Sequence, residues 1–229
     1  MVLVNEGLLK LYRRILNEMI QSFQNLNIEM RNHPDNNINN NKPLMIVGPS
    51  AVGKHSLLNK LKEKYPDIIY NMPLYTTRPK KANEIGGVDY FFITKEEFLE
   101  KKNSNDLFGI QEYNNDYYAL SRNKLKEAST NHNKIIIMSN NIVTANEIKD
   151  ELDFNYVAIL PPCEDELRKR LINRGISKED VEKRMSMSIR EIQLINEANY
   201  IKFRFVNDNE ERVINKLEKH LKDVYSHLF

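Results

Sequence analysis

The sequence predicts an α/β fold, in which a parallel sheet lies between two layers of helices. Short continuous apolar runs are typical of strands buried on both faces. Such runs occupy residues 44–47, 134–138 and 156–160, and a later one occupies residues 201–206. Helical segments alternate with these strands, which favours a parallel sheet with right-handed crossovers. The chain has 229 residues, enough for one such domain with a full core and a small extension.

The N-terminal region predicts an extension to this domain. Residues 1–30 carry apolar residues at helical spacing, which predicts an amphipathic helix. Residues 31–43 are polar and rich in asparagine, which predicts a linker. We weigh two interpretations of the helix. It packs against the domain, a partner or a second copy, or it is an organelle-targeting segment, which its basic residues favour and its glutamates oppose.

Residues 44–229 predict the folded domain itself. A helix follows the first strand and ends near Pro66, and a last helix runs from about Asn209 to the end of the chain. A long polar and aromatic insertion at residues 71–130 predicts a side domain on the α/β core.

Composition excludes several classes of function. The net charge of +2 is too close to zero to favour non-specific nucleic-acid binding. No apolar run approaches the roughly 20 residues that a membrane span needs. Cys163 is the only cysteine, so no internal disulfide can form, and this favours a reducing compartment such as the cytoplasm. The five histidines and this cysteine show no metal-ligand spacing.

The segment GPSAVGKHS, which follows the first predicted strand, predicts a phosphate-binding loop. Glycines let backbone N–H groups turn inward, the following helix N-terminus favours negative charge, and a lysine reaches the outer phosphates. The predicted nucleotide-binding residues are Gly48, Pro49, Ser50, Ala51, Val52, Gly53, Lys54, His55 and Ser56. A hydroxyl directly after the lysine usually binds Mg²⁺, and His55 holds that place. Ser56, one residue further on, is therefore the candidate ligand for Mg²⁺.

This loop and the rest of residues 44–228 resemble the guanylate kinase family, whose loop typically has the form GPSGxGK. The resemblance implies a P-loop core of three layers with a parallel sheet, an inserted subdomain for the nucleoside monophosphate (NMP) at about 71–130, and a lid at about 170–190. It also implies ATP and Mg²⁺ as cofactors and nucleotides as the binding partners.

The segment TTRPKKANEIGGVDY, residues 76–90, resembles the family signature that holds the phosphate of the monophosphate. Carried over, the phosphate-binding residues are Arg78, Lys81, Tyr90 and, further along the chain, Tyr118. Lys81 stands where the family has arginine, so it keeps the charge and loses the planar two-pronged donor.

The lid segment resembles the family at three arginines that close over the transferred phosphoryl group. With Lys54 and Arg78 they make up the predicted catalytic set: Lys54, Arg78, Arg170, Arg174 and Arg184. Asn207, in a VND sequence before the last helix, corresponds to the adenine side of the ATP site.

Recognition of the guanine base is where the sequence departs from the family. The base-contacting positions carry Leu74, Gly109, Leu120 and Asn140, and two leucines cannot hydrogen-bond a purine edge. Gln111 or Glu112 could supply the missing contact.

Three functions follow from these observations. The first is transfer of the γ-phosphoryl group of ATP to GMP, which needs positioning and charge neutralisation more than covalent chemistry. The second is a catalytically impaired binding module that holds a phosphorylated peptide or another phosphate ligand. The third is a monophosphate kinase with a shifted base preference, since Leu74 and Leu120 would make the pocket more apolar.

Overall fold

The computed structural model describes residues 42–229 with the exception of 114, 131 and 132. The predicted N-terminal helix and all but the last two residues of the predicted linker lie outside the described residues.

The described part of the chain contains nine strands and seven α-helices. The strands are β1 Leu44–Val47, β2 Ile69–Asn71, β3 Leu74–Thr76, β4 Tyr90–Phe92, β5 Leu107–Tyr113, β6 Asp116–Ser121, β7 Ile135–Asn140, β8 Asn155–Leu160 and β9 Phe203–Val206. The helices are α1 Lys54–Lys64, α2 Lys95–Asn103, α3 Arg122–Ser129, α4 Ile142–Ile148, α5 Glu164–Ile172, α6 Lys178–Glu197 and α7 Glu210–Val224, and a short 3₁₀ turn follows at Ser226–Leu228.

A five-stranded parallel sheet in the order β2-β7-β1-β8-β9 forms the centre of the fold. Its middle strand, β1, is fully buried, and alternate residues of this strand enter different clusters. Leu44 and Ile46 pack in a cluster with residues of α1 and α7, whereas Met45 and Val47 pack in a cluster with residues of α4 and α6. The sheet therefore has helices on both faces, and the predicted three-layer α/β fold is confirmed.

A second, mixed sheet of four strands, in the order β4-β3-β6-β5, lies within residues 71–130. Strand β3 runs parallel to β4 and antiparallel to β6, and β6 runs antiparallel to β5. Phe98 of α2 covers one face of this sheet and packs with Tyr75, Leu107 and Ala119. Strand β5 also contacts α4, so the insertion touches the core.

Helices α5 and α6 pack on each other beside the carboxyl edge of the central sheet. Ala51 packs in one apolar cluster with buried residues of these helices, which are Leu167, Leu171, Val181 and Met185. No helix in the described ranges is long and apolar enough to cross a membrane.

The predicted strands agree with the structure within one or two residues, and the last one begins at Phe203 rather than at residue 201. Strand β2 was not predicted, because three residues at a sheet edge carry too short a pattern.

Candidate active site

The phosphate loop, residues 48–54, connects β1 to α1 at the carboxyl edge of the central sheet. Gly53 has φ 105°, a left-handed conformation that glycine adopts without steric cost. Gly48 is required by space, because a Cβ there would lie less than 3.0 Å from the backbone oxygen of Ile159. The left-handed conformation of Ala51, φ 63°, is uncommon for a residue with a side chain. The loop is thus held in a shape that few other sequences can adopt.

Lys54 turns its ammonium group back over this loop. Its Nζ donates to the carbonyl oxygens of Gly48 at 2.5 Å and Pro49 at 3.0 Å. Burial lowers the pKa of Lys54 to about 8, and the negative charge of Glu191 on α6 partly opposes this shift. Burial in turn raises the pKa of Glu191 to about 7, and Oε2 of this carboxyl accepts no hydrogen bond from the described residues. A bound phosphate group would add a second anionic partner for this ammonium group.

The side chains of Asn207 and Arg170 both donate hydrogen bonds to the backbone of the phosphate loop. The side-chain amide of Asn207, a buried residue, donates to the carbonyl of Val52 at 2.8 Å. Arg170 donates to the same carbonyl at 3.3 Å and to the backbone oxygen of Asn207 at 2.9 Å, and it pairs with Glu166. Both side chains therefore contact the loop backbone, which keeps the loop in place before any nucleotide binds.

Arg174 and Arg184 approach the loop from the lid and meet at Ser50. Their guanidinium groups lie 3.5 Å and 3.1 Å from the hydroxyl oxygen of Ser50. Arg184 also lies over the ring of Tyr113, 4.7 Å from its centroid, which joins the lid to β5 of the insertion. Burial and the charge of Arg184 lower the pKa of Arg174. Two of the three predicted lid arginines, Arg174 and Arg184, thus form a concentrated positive charge beside the loop.

His55 and Ser56 begin the first turn of α1. The pKa of His55 is lowered, first by loss of hydration and then by the charges of Lys54 and Arg174. The hydroxyl of Ser56 donates to the carboxylate of Glu210, which also pairs with Lys60. The oxygen of Ser56 keeps lone pairs, so it fits the single protein ligand of a Mg²⁺ ion that retains water and binds phosphate oxygens. The described residues contain no group of three or more His, Cys, Asp and Glu side chains that could hold a metal.

The predicted monophosphate site lies on the small sheet. Arg78 forms a two-pronged pair with Glu84, at 3.0 Å and 2.7 Å, and lies 5.3 Å from the ring centroid of Tyr90. The hydrogen bonds from Arg78 are the main cause that lowers the pKa of Glu84. The rings of Tyr90 and Tyr118 are in edge contact at 6.0 Å, and Tyr118 contributes to raising the pKa of Arg78 after the larger contribution of Glu84. Lys81 is exposed, and the bond that links it to this cluster comes from its backbone N–H to Glu84.

The positions assigned to base recognition are divided between the core and the surface of the cleft. Leu120 is buried in the main core, and Leu74 packs against it. Gly109 lies close to α4, and Gln111 donates to the side chains of Asn140 and Thr144. Of the four positions that correspond to guanine-contacting residues, only Asn140 therefore carries a polar side chain, and Gln111 places a second amide beside it.

Four neighbours of the site were not predicted from the sequence: Tyr113, Thr144, Glu191 and Glu210. Glu191 lies within a regular amphipathic helix, where a glutamate usually indicates a solvated face. Tyr113 and Thr144 belong to segments without a motif of their own. The only signal that could have located them is that Tyr113 ends strand β5 and that Thr144 lies shortly after strand β7. Residues just past the carboxyl ends of parallel strands, such as Thr144, often line binding sites.

Comparison with known proteins agrees with this geometry. The family model described as guanylate kinase matches residues 40–224. The chain is 33% identical over 183 residues to a guanylate kinase of Clostridium perfringens, and the match covers 78% of this chain and 82% of the relative. It is 30% identical over 188 residues to the guanylate kinase of Synechocystis, with 81% and 96% covered. A crystal structure of guanylate kinase from Anaplasma phagocytophilum has the same fold, with a TM-score of 0.57, 20% identity, and 80% and 85% of the two chains covered.

Proposed function

Because the chain belongs to the guanylate kinase family, we propose that it transfers the γ-phosphoryl group of ATP to a nucleoside monophosphate, nominally GMP, to give ADP and GDP. In this assignment the ATP phosphates bind to residues 48–56, and the insertion at 71–130 binds the monophosphate. Residues 170–190 act as the lid. The single free cysteine favours the cytoplasm as the compartment.

One observation carries this proposal, which is the convergence of positive charge on the phosphate loop. Lys54, Arg174 and Arg184 all meet at residues 48–50, from the loop itself and from the lid. A protein that binds a phosphate group only at its insertion has no need for this second cluster of positive charges at the loop. Two anion sites in one fold suit a reaction that moves a phosphoryl group between two phosphates.

The residues of the chain perform this transfer by positioning and by neutralising charge. Lys54 and the backbone N–H groups of the loop bind the outer phosphates of ATP. Arg78, with Tyr90 and Tyr118, orients the acceptor phosphate for attack in line with the leaving group. Arg174 and Arg184 neutralise the charge on the phosphoryl group during transfer and exclude water when the lid is closed. Ser56 is the residue that would hold Mg²⁺, and the ion would supply neutralisation of the negative charge of the phosphates.

A coupled assay with MgATP and individual monophosphates tests the proposal. We expect turnover with GMP and a loss of at least about a hundredfold in kcat for Lys54→Met, because a phosphate-binding donor of the transition state is removed. Lys202→Met is the matched control, since this exposed lysine precedes β9 at the opposite edge of the sheet. Absence of turnover with every common monophosphate would contradict the proposal.

A second candidate is a module that binds a phosphorylated peptide through Arg78, Tyr90 and Tyr118. The specific observation in its favour is the loss of the hydroxyl and carboxylate groups at the base-contacting positions. A binding module has no need for ATP, so calorimetric titration separates the two functions. Micromolar affinity for MgATP supports the kinase, whereas phosphopeptide binding without ATP binding supports the module.

A further inference from the structure

We propose that the side-chain amides of Asn140 and Gln111 recognise the base of the monophosphate by a ring carbonyl and the neighbouring ring N–H. In this arrangement no group of the chain recognises the 2-amino group that distinguishes guanine from hypoxanthine. The proposal rests on the proposed function for its kinetic test, and it has a separate test in binding.

The two amides lie between the phosphate loop and the monophosphate site. Asn140 is the last residue of β7 and pairs in register with Val47, the residue that precedes the loop. Gln111 of β5 pairs in register with Tyr118 of β6. Residues paired across antiparallel strands project to the same face, so Gln111 shares a face with the tyrosine of the phosphate site. A base attached to a monophosphate bound there has these amides as neighbours.

The hydrogen bonds of Asn140 fix the direction of its amide. Its Oδ1 accepts from the backbone N–H of Asn141 at 2.8 Å and from Nε2 of Gln111. Asn140 is only 6% exposed, and its Nδ2 has no hydrogen-bond partner among the described residues. A buried donor without a partner is unfavourable, so such a group calls for an acceptor that binding would supply.

The second amide supplies the complementary group. Nε2 of Gln111 donates to Oδ1 of Asn140 and, at 3.3 Å, to the hydroxyl of Thr144. These bonds use its amino group and leave its carbonyl oxygen as an acceptor. The pair thus presents one N–H donor and one carbonyl acceptor, which match a ring carbonyl and a ring N–H. Adenine carries the opposite pattern, an acceptor ring nitrogen beside an amino donor.

Gly109 explains why a carboxylate does not complete the site. With φ 58°, a Cβ at Gly109 would lie 2.5 Å from Cγ2 of Thr144 and 3.2 Å from Nδ2 of Asn140. A side chain therefore cannot be accommodated while β5 lies this close to α4. Glu112 is exposed and pairs with Tyr117, so by strand alternation it projects to the face opposite Gln111. Of the two residues that the sequence offered as a replacement, the structure favours Gln111.

These groups predict a preference among three monophosphates. GMP and IMP share the carbonyl and the ring N–H, so we expect kcat/KM values within about threefold of each other. AMP would leave both amide groups unpaired, and we expect its kcat/KM to be at least about a hundredfold lower, as for sites whose buried polar groups lose their partners.

The full-length chain is assayed with saturating MgATP and each monophosphate, and binding of each monophosphate alone is measured by calorimetry. Similar constants for GMP and IMP with rejection of AMP support the proposal. A preference for GMP over IMP above tenfold, or equal use of AMP, overturns it. Equal binding of GMP and IMP without turnover would remove the proposed function and leave this inference standing. Failure of all three to bind would remove both.

Two variants separate base recognition from a structural role. Asn140→Asp replaces the amide N–H that faces the ring carbonyl with a carboxylate oxygen, so we expect it to weaken GMP and IMP alike by about ten- to a hundredfold and to leave AMP, whose amino group can donate to the carboxylate, no weaker. The matched control is Asn215→Asp on the exposed face of α7, which should leave all three constants unchanged. Gln111→Leu should weaken GMP and IMP equally and leave AMP unchanged. If this variant weakens all three alike or changes none, Gln111 only joins the insertion to the core, and the proposal is overturned.

Discussion

Raising the pH from 7.5 to 9 should weaken the binding of ADP, because Lys54 loses its proton in this range. Burial lowers the pKa of its ammonium to about 8, so the free protein holds the charged form below this pH and the neutral amine above it. About three quarters of the molecules are protonated at pH 7.5 and about a tenth at pH 9. If only the charged form binds the phosphates, the affinity falls about eightfold, or about 1.3 kcal/mol. A lysine with the ordinary pKa of 10.5 would give almost no change.

Calorimetric titration of ADP in the presence of EDTA measures this effect without a contribution from metal. The phosphates of ADP are ionised throughout the range, so the change reports on the protein. Lys54→Arg keeps its charge and should bind with an affinity that is independent of pH. Lys202→Arg should keep the eightfold change of the unaltered chain. An affinity that stays within twofold between pH 7.5 and 9 in the unaltered chain would refute the reasoning.

Three further predictions concern the loop, the lid and the core. Gly48→Ala should destabilise the fold by about 1–3 kcal/mol and weaken ATP binding, because the new methyl group meets the backbone oxygen of Ile159. Urea unfolding would measure the loss of stability, and titration with ATP would measure the loss of affinity. Tyr113→Ala should raise KM for ATP by about two- to fivefold, because its half-exposed ring contributes about 0.5–1 kcal/mol to the position of Arg184. Tyr113→Phe keeps the ring and should leave KM unchanged. Burial lowers the pKa of His220 to about 4. The unfolded chain therefore takes up a proton at this residue before the folded chain does, and about 2–3 kcal/mol of the free energy of unfolding should be lost as the pH falls from 7 to 4.5. Urea unfolding at the two pH values measures this loss, which His220→Phe should lack.

The central sheet could be predicted because its strands are buried on both faces. Residues 44–47 and 156–160 are continuous apolar runs, and such runs have few other structural explanations. The strands of the small sheet have no comparable signal. Strands β3 and β4 are three residues long and largely aromatic, and their pairing depends on contacts between distant parts of the chain.

The candidate site could be predicted where one short segment carries several of its residues. The loop with Lys54 and the segment of residues 76–90 with Arg78 are local motifs of this kind. Glu191 approaches Lys54 from a helix more than 130 positions later, and no local pattern marks that approach. Leu120 was expected to line the base pocket, but it is 1% exposed and packs in the main core, because the end of β6 that carries it lies against that core.

The pair formed by Arg78 and Glu84 has a consequence for which anions the insertion can accept. The guanidinium already holds a carboxylate through two hydrogen bonds, and both side chains are less than a fifth exposed. An incoming anion must therefore compete with the carboxylate of Glu84 for the guanidinium group of Arg78. A singly charged anion such as chloride or acetate gains little from that exchange. A doubly charged phosphate ester can form hydrogen bonds with Arg78 that are as strong as those with the displaced carboxylate. The insertion therefore selects ligands by the number of their negative charges before any base is recognised.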